Sequence, residues 1–472
     1  MKILFAASEA APFVKSGGLG DVMGALPAAL AKNENNRVLV FLPYYASVKN
    51  RFNPAFVCRY NVPLSWRNIY AGLYKEVKNN VEYYFIDNEY YFGRDCYGYN
   101  DDGERFAYFD KAILEALSFI DFAPEIIHLN DWQTGFIPLF LKTHYNGIPK
   151  YQGIKTVFTI HNIEYQGKAD PDFLDDVLGV GEEYRPLVLH DGLINAVKAA
   201  INLSDRVTTV SETYAHEIKN SYYACGLESV INENAYKLSG IVNGIDTDLY
   251  NPETDRYIAA PYSVELIYDK EKNKKALREL LGLEDRENVP IVAMVSRLVA
   301  HKGMELFEDV WSELLKLDIQ LVVLGTGDKR FEDLFIFLEG SYPGKVSSNI
   351  MFDSARASQI YAGADFLLMP SKSEPCGLSQ LIAMRYGTIP IVRETGGLYD
   401  TVSPVDISML EGSGFTFKTY NGYDMVDAVR RAADFYRHKD KLEYIRHRIM
   451  TADIGWDSQA SKYQELYMDI LK

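Results

Sequence analysis

The alternation of short apolar runs with longer amphipathic stretches constrains this chain most strongly. Buried strands of a parallel sheet have such an apolar composition, and the amphipathic stretches are typical of the crossover helices of βαβ units. In the first half of the chain the pattern predicts strands at residues 2–7, 37–42, 126–129, 155–160 and 206–210, and helices at 21–32, 105–120 and 191–202.

The same alternation starts again in the second half of the chain. It predicts strands at residues 290–295, 320–325, 365–370 and 388–392, and helices near 304–316, 377–386 and 424–438. A chain of 472 residues exceeds what one hydrophobic core normally serves. We therefore predict an α/β protein with two Rossmann-like domains, a polar linker at about 243–262, and a solvated helix start at the charged run 269–275.

Composition and charge argue against several classes of protein. Lys and Arg number 49 against 65 Asp and Glu, and the net charge of −16 disfavours nucleic acid or an anionic membrane as the main partner. The cysteines lie far apart with no CxxC pair, so neither a disulfide framework nor a zinc site is expected. No signal peptide is recognisable, and no apolar run approaches the roughly 18 residues of a membrane span. We therefore expect a cytoplasmic protein.

A glycine-rich loop follows the first predicted strand, where residues 15–22 read KSGGLGDV. Glycines let a ligand approach the backbone, and the first N–H groups of a helix favour a phosphate. Lys15 adds a positive charge beside Gly17 and Gly18. The spacing matches neither the dinucleotide-binding GxGxxG nor a P-loop. On these residues alone, a phosphate-binding loop and a simple tight turn both stay open.

Two cations follow the first predicted strand of the second half. Arg297 lies at the strand end, and Lys302 comes five residues later, before a predicted helix. Such a pair at the carboxyl end of a parallel strand can bind a diphosphate and neutralise its charge as it leaves. The alternative is a pair of unrelated surface cations, and the position favours the diphosphate.

Two more loops follow predicted strands of the second half. Glu374 lies in SEPCGL at residues 373–378, where a carboxylate can bind sugar hydroxyls. Residues 394–398 read ETGGL and again place two glycines before a leucine, as residues 17–19 do. Similar glycine loops in both halves are a more specific signal than either one alone.

Polar residues at strand ends of the first half are further candidates. His161 and Asn162 follow the strand at 155–160, and Asp131 follows the strand at 126–129. A lone histidine is more often structural than catalytic, so the case for His161 rests on its position. The sequence contains neither HExxH nor GxSxG.

Two other patterns carry weaker signals. The Asp-x-Asp at residues 246–248 has the form of a metal site, but we interpret it as turn chemistry. The tyrosine-dense stretch at 83–99 is either a sugar-stacking loop or a strand pair with surface tyrosines.

Taken in order, these motifs resemble those of bacterial glycogen synthases and plant starch synthases, which form glycosyltransferase family 5 and have the GT-B fold. The resemblance runs almost the full length. It rests on KSGGLGDV at 15–22, HLNDWQ at 128–133, FTIHNIEYQG at 158–167, VNGID at 242–246, SRLVAHKG at 296–303, GTGD at 325–328, SEPCGL at 373–378 and TGGL at 395–398.

The resemblance implies a domain plan and a set of site residues. Two Rossmann-like, doubly wound domains face a central cleft: 1–245 on the acceptor side and 246–455 on the donor side, with a helix at 456–472 crossing back to the first. The implied catalytic residues are His161, Arg297, Lys302 and Glu374. The implied substrate-binding residues are Lys15, Gly17, Gly18, Leu19, Asp21, Asp131, Asn162, Asn243, Phe352, Cys376, Gly377, Leu378, Thr395, Gly396 and Gly397, with Phe352 stacking on adenine.

Two positions depart from the family's pattern. The histidine that usually follows Asp-Trp is Gln133 here, which changes a detail of the sugar or acceptor contacts. Many retaining GT-B enzymes carry a second glutamate eight residues after the first, and that position is Ile382 here, so no such partner is assigned.

The implied reaction is transfer of glucose from ADP-glucose to the non-reducing end of glycogen or another α-1,4-glucan, with retained configuration. It requires neither a metal ion nor a cofactor, and the expected partners include no nucleic acid and no membrane. UDP-glucose as donor and a non-catalytic nucleotide-sugar or glucan binder remain alternatives, as do a GT-B epimerase and a pyridoxal-phosphate phosphorylase. The presence of Arg297 and Lys302 together with Glu374 favours a working transferase.

Overall fold

The computed structural model describes residues 1–406 and 408–472. The chain divides into two compact units, Met1–Asn243 with Trp456–Lys472, and Gly244–Gly455. Each unit is built on a parallel sheet with its own hydrophobic core.

A large sheet forms the centre of the first unit. The strands of this unit are β1 (Lys2–Ala6), β2 (Arg37–Pro43), β3 (Ala55–Leu64), β4 (Arg67–Lys78), β5 (Val81–Asp87), β6 (Ile126–Asn130), β7 (Lys155–Ile160), β8 (Lys168–Ala169), β9 (Leu189–His190), β10 (Leu193–Asn195), β11 (Arg206–Thr209) and β12 (Leu238–Gly240). The sheet order is β12-β11-β7-β6-β1-β2-β5-β4-β3, and the pairs from β12 to β5 are parallel. The order reverses between β1 and β6, so a ligand crevice is expected at their carboxyl ends.

Helices flank this sheet because their apolar residues recur every three to four positions. In α1, for example, Val22, Met23, Leu26 and Leu30 are buried. The helices before residue 243 are α1 (Gly18–Ala31), α2 (Ala46–Lys49), α3 (Glu89–Phe92), α4 (Asp102–Ala116), α5 (Ile137–Lys142), α6 (Phe173–Asp176), α7 (Arg185–Val188), α8 (Ala196–Leu203), α9 (Glu212–Glu217) and α10 (Glu228–Glu233).

The tyrosine-dense stretch at 83–99 is partly in the core: three of its tyrosines are buried, whereas Tyr90 is 76% exposed. Tyr83 and Tyr84 of β5 and Tyr91 of α3 are buried, so the interpretation as surface tyrosines is wrong for them. β3, β4 and β5 form an antiparallel extension of the sheet. The sequence prediction missed this extension because it searched for the continuous apolar runs of parallel strands, which antiparallel strands with one wet face do not need.

The helix predicted at 191–202 begins only at Ala196. The preceding residues form β10, which pairs with β8 and β9 in a small antiparallel sheet. Asn195 then caps α8, because its Oδ1 accepts the N–H of Lys198 at 2.9 Å.

The sheet of the second unit has the strand order of a Rossmann domain. Its strands are β13 (Ile291–Val295), β14 (Gln320–Leu324), β15 (Val346–Asn349), β16 (Phe366–Met369), β17 (Ile389–Arg393) and β18 (Phe415–Phe417). They are parallel and stand in the order β15-β14-β13-β16-β17-β18. Val292 and Met294 pack into one core layer and Ile291 and Ala293 into the other, as side chains alternate along a strand. The order reverses between β13 and β16, which places the expected crevice there.

The helices of the second unit lie between these strands. They are α11 (Lys270–Leu281), α12 (Met304–Leu314), α13 (Lys329–Ser341), α14 (Ser354–Gly363), α15 (Ser379–Arg385), α16 (Gly396–Thr401), α17 (Gly422–Phe435) and α18 (Lys439–Met450). The helix predicted from residue 377 begins at Ser379, because Gly377 has φ 75°, which is not a helical value.

The charged run at 269–275 starts a helix, as predicted, but it is only partly solvated: Glu271, Lys272 and Lys275 are exposed, whereas Lys270 and Lys274 are buried. The buried ammonium of Lys270 donates to three main-chain carbonyls and to Thr388 Oγ1 at 2.8 to 2.9 Å. Burial lowers the pKa of Lys270 well below its ordinary value. Lys274 is also buried and pairs with Asp365 at 2.6 Å. The number of charges in the run did not reveal that the side chains of Lys270 and Lys274 point into the protein.

Most of the predicted linker at 243–262 belongs to the second unit. Ile245 and Tyr262 are buried in its core, and the hydroxyl of Tyr262 donates to the carbonyl of Tyr386 at 2.8 Å. The N–H of Ile245 donates to the carbonyl of Ile454 at 2.9 Å. The chain therefore passes into the second unit within one or two residues rather than over a long linker.

A further helix, α19 (Trp456–Ile470), belongs to the first unit. It packs against α1, and its Tyr467 hydroxyl lies 2.6 Å from Nδ1 of the buried His128 in β6. Residues separated by more than 300 positions thus complete one core.

Candidate active site

A buried ion pair lies at the reversal point of the second sheet. Lys302 follows β13 and Glu374 follows β16, and the two strands are neighbours. The ammonium of Lys302 donates to both oxygens of Glu374, at 2.7 and 2.6 Å, and Ser371 Oγ donates to the same carboxylate at 2.9 Å. The two side chains are only 18% and 7% exposed. The structure thus brings together two of the residues that the sequence predicted to be catalytic.

Glycines let the loops around this pair pack backbone against backbone. A Cβ at Gly303, which has φ 86°, would lie 2.2 Å from the carbonyl oxygen of Pro370. A Cβ at Gly397 would lie 2.3 Å from the carbonyl oxygen of Cys376. Larger residues would therefore push apart the loops after β13, β16 and β17.

The predicted sugar-pocket and phosphate residues form a compact group in these loops. The N–H of Gly397 donates to the carbonyl of Glu374 at 3.0 Å, which joins the TGGL loop to the SEPCGL loop. Gln380 donates to the carbonyls of Cys376 and Gly377 at 3.1 and 2.9 Å and holds the turn before α15. Leu378, Thr395 and Gly396 lie in the same two loops.

Arg297 and Phe352 lie at strand ends of the same sheet and reach solvent. Arg297 follows β13 and is exposed, and Phe352 follows β15 with 81% of its surface exposed. A ring this exposed on a strand-end loop provides a flat apolar surface on which a base can stack.

The glycine loop of the first unit leads into α1 at the reversal point of the first sheet. Lys15 pairs with Asp21 at 2.7 Å across the first turn of the helix, which begins at Gly18. The carboxylate of Glu9, which follows β1, accepts the N–H of Ser16 and, at 2.8 Å, its hydroxyl. Leu19 is buried, whereas Gly17 and Gly18 are exposed.

Asp131 organises the strand ends beside this loop. It has φ 57°, a left-handed conformation that is uncommon for a residue other than glycine. Its Oδ1 accepts the N–H of His161 at 2.8 Å and that of Asn162 at 3.4 Å. The Nε2 of His161 lies 3.0 Å from Asn130 Oδ1, which can only accept, so Nε2 carries the proton. The turns after β6 and β7 are thus fixed to each other.

Desolvation shifts the pKa values of Asp131 and His161 and favours the neutral form of each. Burial raises the pKa of Asp131 to about 7, against the two N–H bonds that lower it. Burial lowers the pKa of His161 to about 3. His161 is therefore neutral at physiological pH and serves as a hydrogen-bonding group rather than as a cation.

Three amide side chains of the first unit carry buried oxygens without a hydrogen-bond partner among the described residues. One belongs to Gln459 in α19, and the other two belong to Asn243 and to Gln133, the residue that replaces the family histidine. Buried polar atoms normally have partners, so the latter two oxygens are places where a ligand hydroxyl would be stabilised.

Several residues of the site were missed by the sequence analysis. Glu9 and Tyr97 are among them: the Tyr97 hydroxyl donates to Glu9 Oε1 at 2.6 Å and supports the glycine loop. Ser371 is another, and its hydroxyl holds Glu374 in place. Asn130, which contacts His161, lies within the HLNDWQ motif. Glu9 and Ser371 follow predicted strands, so the strand-end rule that selected Asp131 could have found them.

The Asp-x-Asp at 246–248 is turn chemistry, as predicted. Asp246 Oδ1 accepts the N–H groups of Asp248 and Leu249, both at 3.0 Å. Across residues 1–406 and 408–472, no group of three or more His, Cys, Asp or Glu side chains is arranged to hold a metal ion. In the same residues, no helix has both the length and the apolar character to span a bilayer.

Two cavities of about 290 and 590 Å³ lie elsewhere in the first unit. Tyr145 and Tyr151 line both, and the smaller one reaches Thr156 and Asp205 at the starts of β7 and β11. These are the opposite ends of the strands from those that carry Asp131 and His161. The predicted site residues are therefore grouped by strand topology, and none of them lines either of these two cavities.

Comparison with known families identifies both halves of the chain. Residues 2–233 match the family described as starch synthase catalytic domain, and residues 278–445 match glycosyl transferases group 1. Proteins named glycogen synthase from Desulforamulus reducens, Streptococcus mutans and Bacillus cereus strain Q1 are 49%, 48% and 46% identical to this chain. The alignments cover all of this chain and 99%, 100% and 100% of those proteins.

Solved structures agree on the fold. The catalytic domain of starch synthase IV from Arabidopsis thaliana, bound to ADP and acarbose, is 33% identical and superposes with a TM-score of 0.90, covering 100% of this chain and 99% of that one. Sucrose-phosphate synthase from Thermosynechococcus elongatus, at 17% identity and a TM-score of 0.64 over 99% and 98% of the two chains, shares the fold.

Proposed function

Because the chain belongs to the glycogen and starch synthase family of glycosyltransferases, we propose that it transfers glucose from ADP-glucose to the non-reducing end of an α-1,4-glucan such as glycogen. The donor nucleotide is proposed by analogy with the ADP bound to the Arabidopsis relative, and the acceptor by analogy with the relatives' names. The configuration at the transferred carbon is retained.

The observation that carries this proposal is the Lys302–Glu374 pair at the reversal point of the second sheet. A sugar diphosphate needs a cation for its leaving group and hydroxyl acceptors for its sugar, and this pair offers both in one place. In the proposed complex the ammonium of Lys302 turns to the diphosphate, joined by Arg297, and the carboxylate of Glu374 accepts sugar hydroxyls. Departure of the diphosphate then breaks the bond between the sugar carbon and the phosphate oxygen. The acceptor 4-OH attacks the electron-poor sugar on the same face, and its proton passes to the departing diphosphate oxygen.

Glu374 acts in this scheme as a hydroxyl acceptor and not as a covalent nucleophile. When Lys302 turns to the diphosphate, Ser371 still donates to one of its oxygens, and a hydrogen bond of this kind lowers the nucleophilicity of a carboxylate. Ile382 occupies the position of the second glutamate found in many retaining relatives, so no second carboxylate is assigned.

The first unit supplies uncharged and hydrogen-bonding groups in the same scheme. Neutral His161 binds beside the transferred glucose, and Asp131 fixes the main chain of His161 and Asn162. Asn243 donates to or accepts from a sugar hydroxyl through its amide. Lys15, with Asp21 beside it, and the glycine loop bind phosphate or sugar oxygens of the donor.

The second unit supplies the remaining substrate contacts. Phe352 stacks on the adenine, and the loops that carry Cys376, Gly377, Leu378, Thr395, Gly396 and Gly397 surround the glucose and phosphate groups. The proposal includes no metal ion, because Arg297 and Lys302 neutralise the diphosphate. It includes no nucleic-acid partner, in keeping with the net charge of −16. It also places the enzyme in the cytoplasm, which cell fractionation tests.

Initial rates with ADP-glucose and with UDP-glucose, each with and without glycogen, test the proposed activity. We expect ADP release that depends on glycogen, and we expect an α-1,4-specific glucosidase to release the newly added glucose, followed by a label in the donor sugar. Faster turnover with UDP-glucose would overturn the donor assignment, and binding of ADP without any transfer would identify a non-catalytic binder. Products resistant to the glucosidase would overturn retention.

A further inference from the structure

Arg393 is a buried cation beside the Glu374 loop that neither the motifs nor the proposed mechanism uses. It ends β17 and is 8% exposed. Its Nη1 donates to the carbonyls of Ser371 and Lys372, at 3.3 and 2.9 Å. Its Nε makes no hydrogen bond, and it forms no ion pair with a carboxylate among the described residues. Burying a guanidinium is costly, and here the main chain of one loop repays part of that cost.

Tyr420 lies against Arg393 and joins a second catalytic loop to the same cluster. The ring centroid of Tyr420 is 5.5 Å from the guanidinium carbon, within the range of a cation–π contact. Its hydroxyl donates to the carbonyl of Ala300, at 3.4 Å, two residues before Lys302. The N–H of Lys372 donates to the carbonyl of His301 at 2.8 Å. The loops after β13, β16 and β18 thus meet around the side chain of Arg393 at the end of β17.

We propose that Arg393 is a positioning residue for Glu374. By binding two consecutive carbonyls of the loop, it fixes the turn at Ser371, whose hydroxyl donates to Glu374. Arg393 thereby holds the carboxylate of Glu374 within hydrogen-bond distance of the Lys302 ammonium. The inference rests on the role given to Glu374 and Lys302 in the proposed function, and it adds a residue that acts through them without touching substrate.

The expected consequence is a loss of turnover with little loss of nucleotide binding. Displacing a catalytic group by about 1 Å can cost on the order of 10²-fold in rate. Adenine and ribose contacts, assigned to Phe352 and its surroundings, do not depend on the turn at Ser371. The carboxylate would remain present in an Arg393 variant but would occupy several positions.

Arg278 provides a matched control within the same unit. It is also buried, at 5% exposure, and its guanidinium donates to the carbonyls of Arg286 and Val289 at 2.6 and 2.8 Å. Those carbonyls precede β13, at the opposite end of the strands from Glu374. Arg278→Ala therefore removes a similar buried network without touching the catalytic loops.

The experiment compares Arg393→Ala, Arg393→Lys and Arg278→Ala in the full-length protein. We expect Arg393→Ala to lower kcat about tenfold or more, with the ADP dissociation constant changed by less than about threefold. Arg393→Lys, which can still donate to one carbonyl, should recover part of the kcat. Arg278→Ala should lower the melting temperature about as much as Arg393→Ala does, but it should leave kcat unchanged. In a Glu374→Gln background, Arg393→Ala should lower kcat little further, because both changes act on one group.

Hydrogen exchange provides a readout that does not need transfer activity. Amides at residues 371–376 should exchange faster in Arg393→Ala than in the wild type, and at the wild-type rate in Arg278→Ala. The proposal is overturned if this exchange is unchanged, or if kcat falls equally in both alanine variants. An inactive wild-type protein would instead refute the proposed function, and hydrogen exchange would still decide the role of Arg393.

Discussion

The reversal points of the two sheets carry opposite kinds of chemistry. In the first unit, desolvation moves Asp131 and His161 towards their neutral forms, and the contacts are hydrogen bonds to the main chain and to amides. In the second unit, the ammonium of Lys302 and the carboxylate of Glu374 lie 2.6 Å apart and form an ion pair. At these residues the same topology supports hydrogen bonds suited to hydroxyls in one unit and an ion pair suited to phosphates in the other, while Lys15 and Asp21 add an ion pair to the first.

This difference shows why topology locates a site but does not define its reaction. Both crevices lie at carboxyl ends of parallel strands beside a reversal of strand order. What separates them is whether burial is balanced by an opposite charge. Asp131 has backbone N–H donors but no cation in contact, and Glu374 has an ammonium at 2.6 Å.

Removing the charge of the second site should have the largest effect. We expect Lys302→Ala to lower kcat by about 10²-fold or more, because the leaving diphosphate loses a charge-assisted partner as its charge develops. Steady-state rates with circular dichroism as a check of folding measure this. Lys329→Ala, which removes an exposed cation of the same unit, should leave kcat unchanged. An unchanged kcat in folded Lys302→Ala would remove Lys302 from the mechanism.

Removing the titratable charge of the first site should have a smaller effect that depends on pH. We expect Asp131→Asn to lower kcat about tenfold at pH 8, where the wild-type carboxyl is ionised, and less at pH 6, where most of it is protonated. The ratio of wild-type to variant kcat, followed from pH 6 to 8, measures this. Asp172→Asn, at an exposed position, should give a ratio near one throughout. A ratio for Asp131→Asn that does not change with pH would mean that Asp131 does not titrate near 7.

Asp131 should also make the stability of the folded protein depend on pH. The folded pKa of Asp131 is about 7, above the value of about 3.9 in an unfolded chain. The folded state therefore binds the proton more tightly, and this residue makes stability fall as pH rises from about 4 to 7. We expect the urea midpoint of the wild type to drop more between pH 5 and 8 than that of Asp131→Asn. Equal drops would contradict the assignment.

Disturbing the polar network behind the first site should affect stability only. Tyr467→Phe removes the hydroxyl beside His128 Nδ1 and should lower the free energy of unfolding by about 1 kcal/mol, with kcat unchanged. Urea unfolding and steady-state rates measure both quantities. Tyr444→Phe, at an exposed position, should change neither. A clear fall in kcat for Tyr467→Phe would mean that the network reaches the reacting groups.

Removing divalent ions should have the smallest effect, namely none. The charge that a metal would neutralise is assigned to Arg297 and Lys302, so activity should be the same with and without EDTA. Rates before and after chelation measure this, with ADP release as the signal. Activity that disappears in EDTA and returns with Mg²⁺ would show that Asp246 and Asp248 had been misinterpreted as a turn alone.

The sequence predicted those parallel strands whose residues form continuous apolar runs, and it missed the parallel strands β5, β12, β15 and β18. The strand at 155–160 is confirmed at both ends, and the others shift by a residue or so at their ends. The antiparallel β3 and β4 were missed, since their residues alternate between a wet and a buried face. The charged run of α11 was misjudged for a related reason: only tertiary contacts show that Lys270 finds four oxygen partners inside.

The candidate site was predictable where residues follow a strand and less so where they act through others. Lys302, Glu374, Asp131 and His161 were found from their positions alone. Residues such as Ser371 and Arg393 lie outside the motifs, and their importance appears only when the partner carboxylate and carbonyls are known. Pairings of this kind depend on side-chain geometry that spacing along the chain does not encode.

The position of α19 in the first unit has a consequence for biosynthesis. A ribosome delivers Met1–Asn243 first, yet the core of that unit lacks Trp456, Tyr463 and Tyr467 until the whole second unit has been made. During translation, β6 and α1 thus expose the apolar surface that α19 later covers, whereas Gly244–Gly455 is contiguous and needs no later segment. The unit that emerges first is therefore completed last. Its hydrophobic core stays incomplete in the nascent chain until α19 has been synthesised.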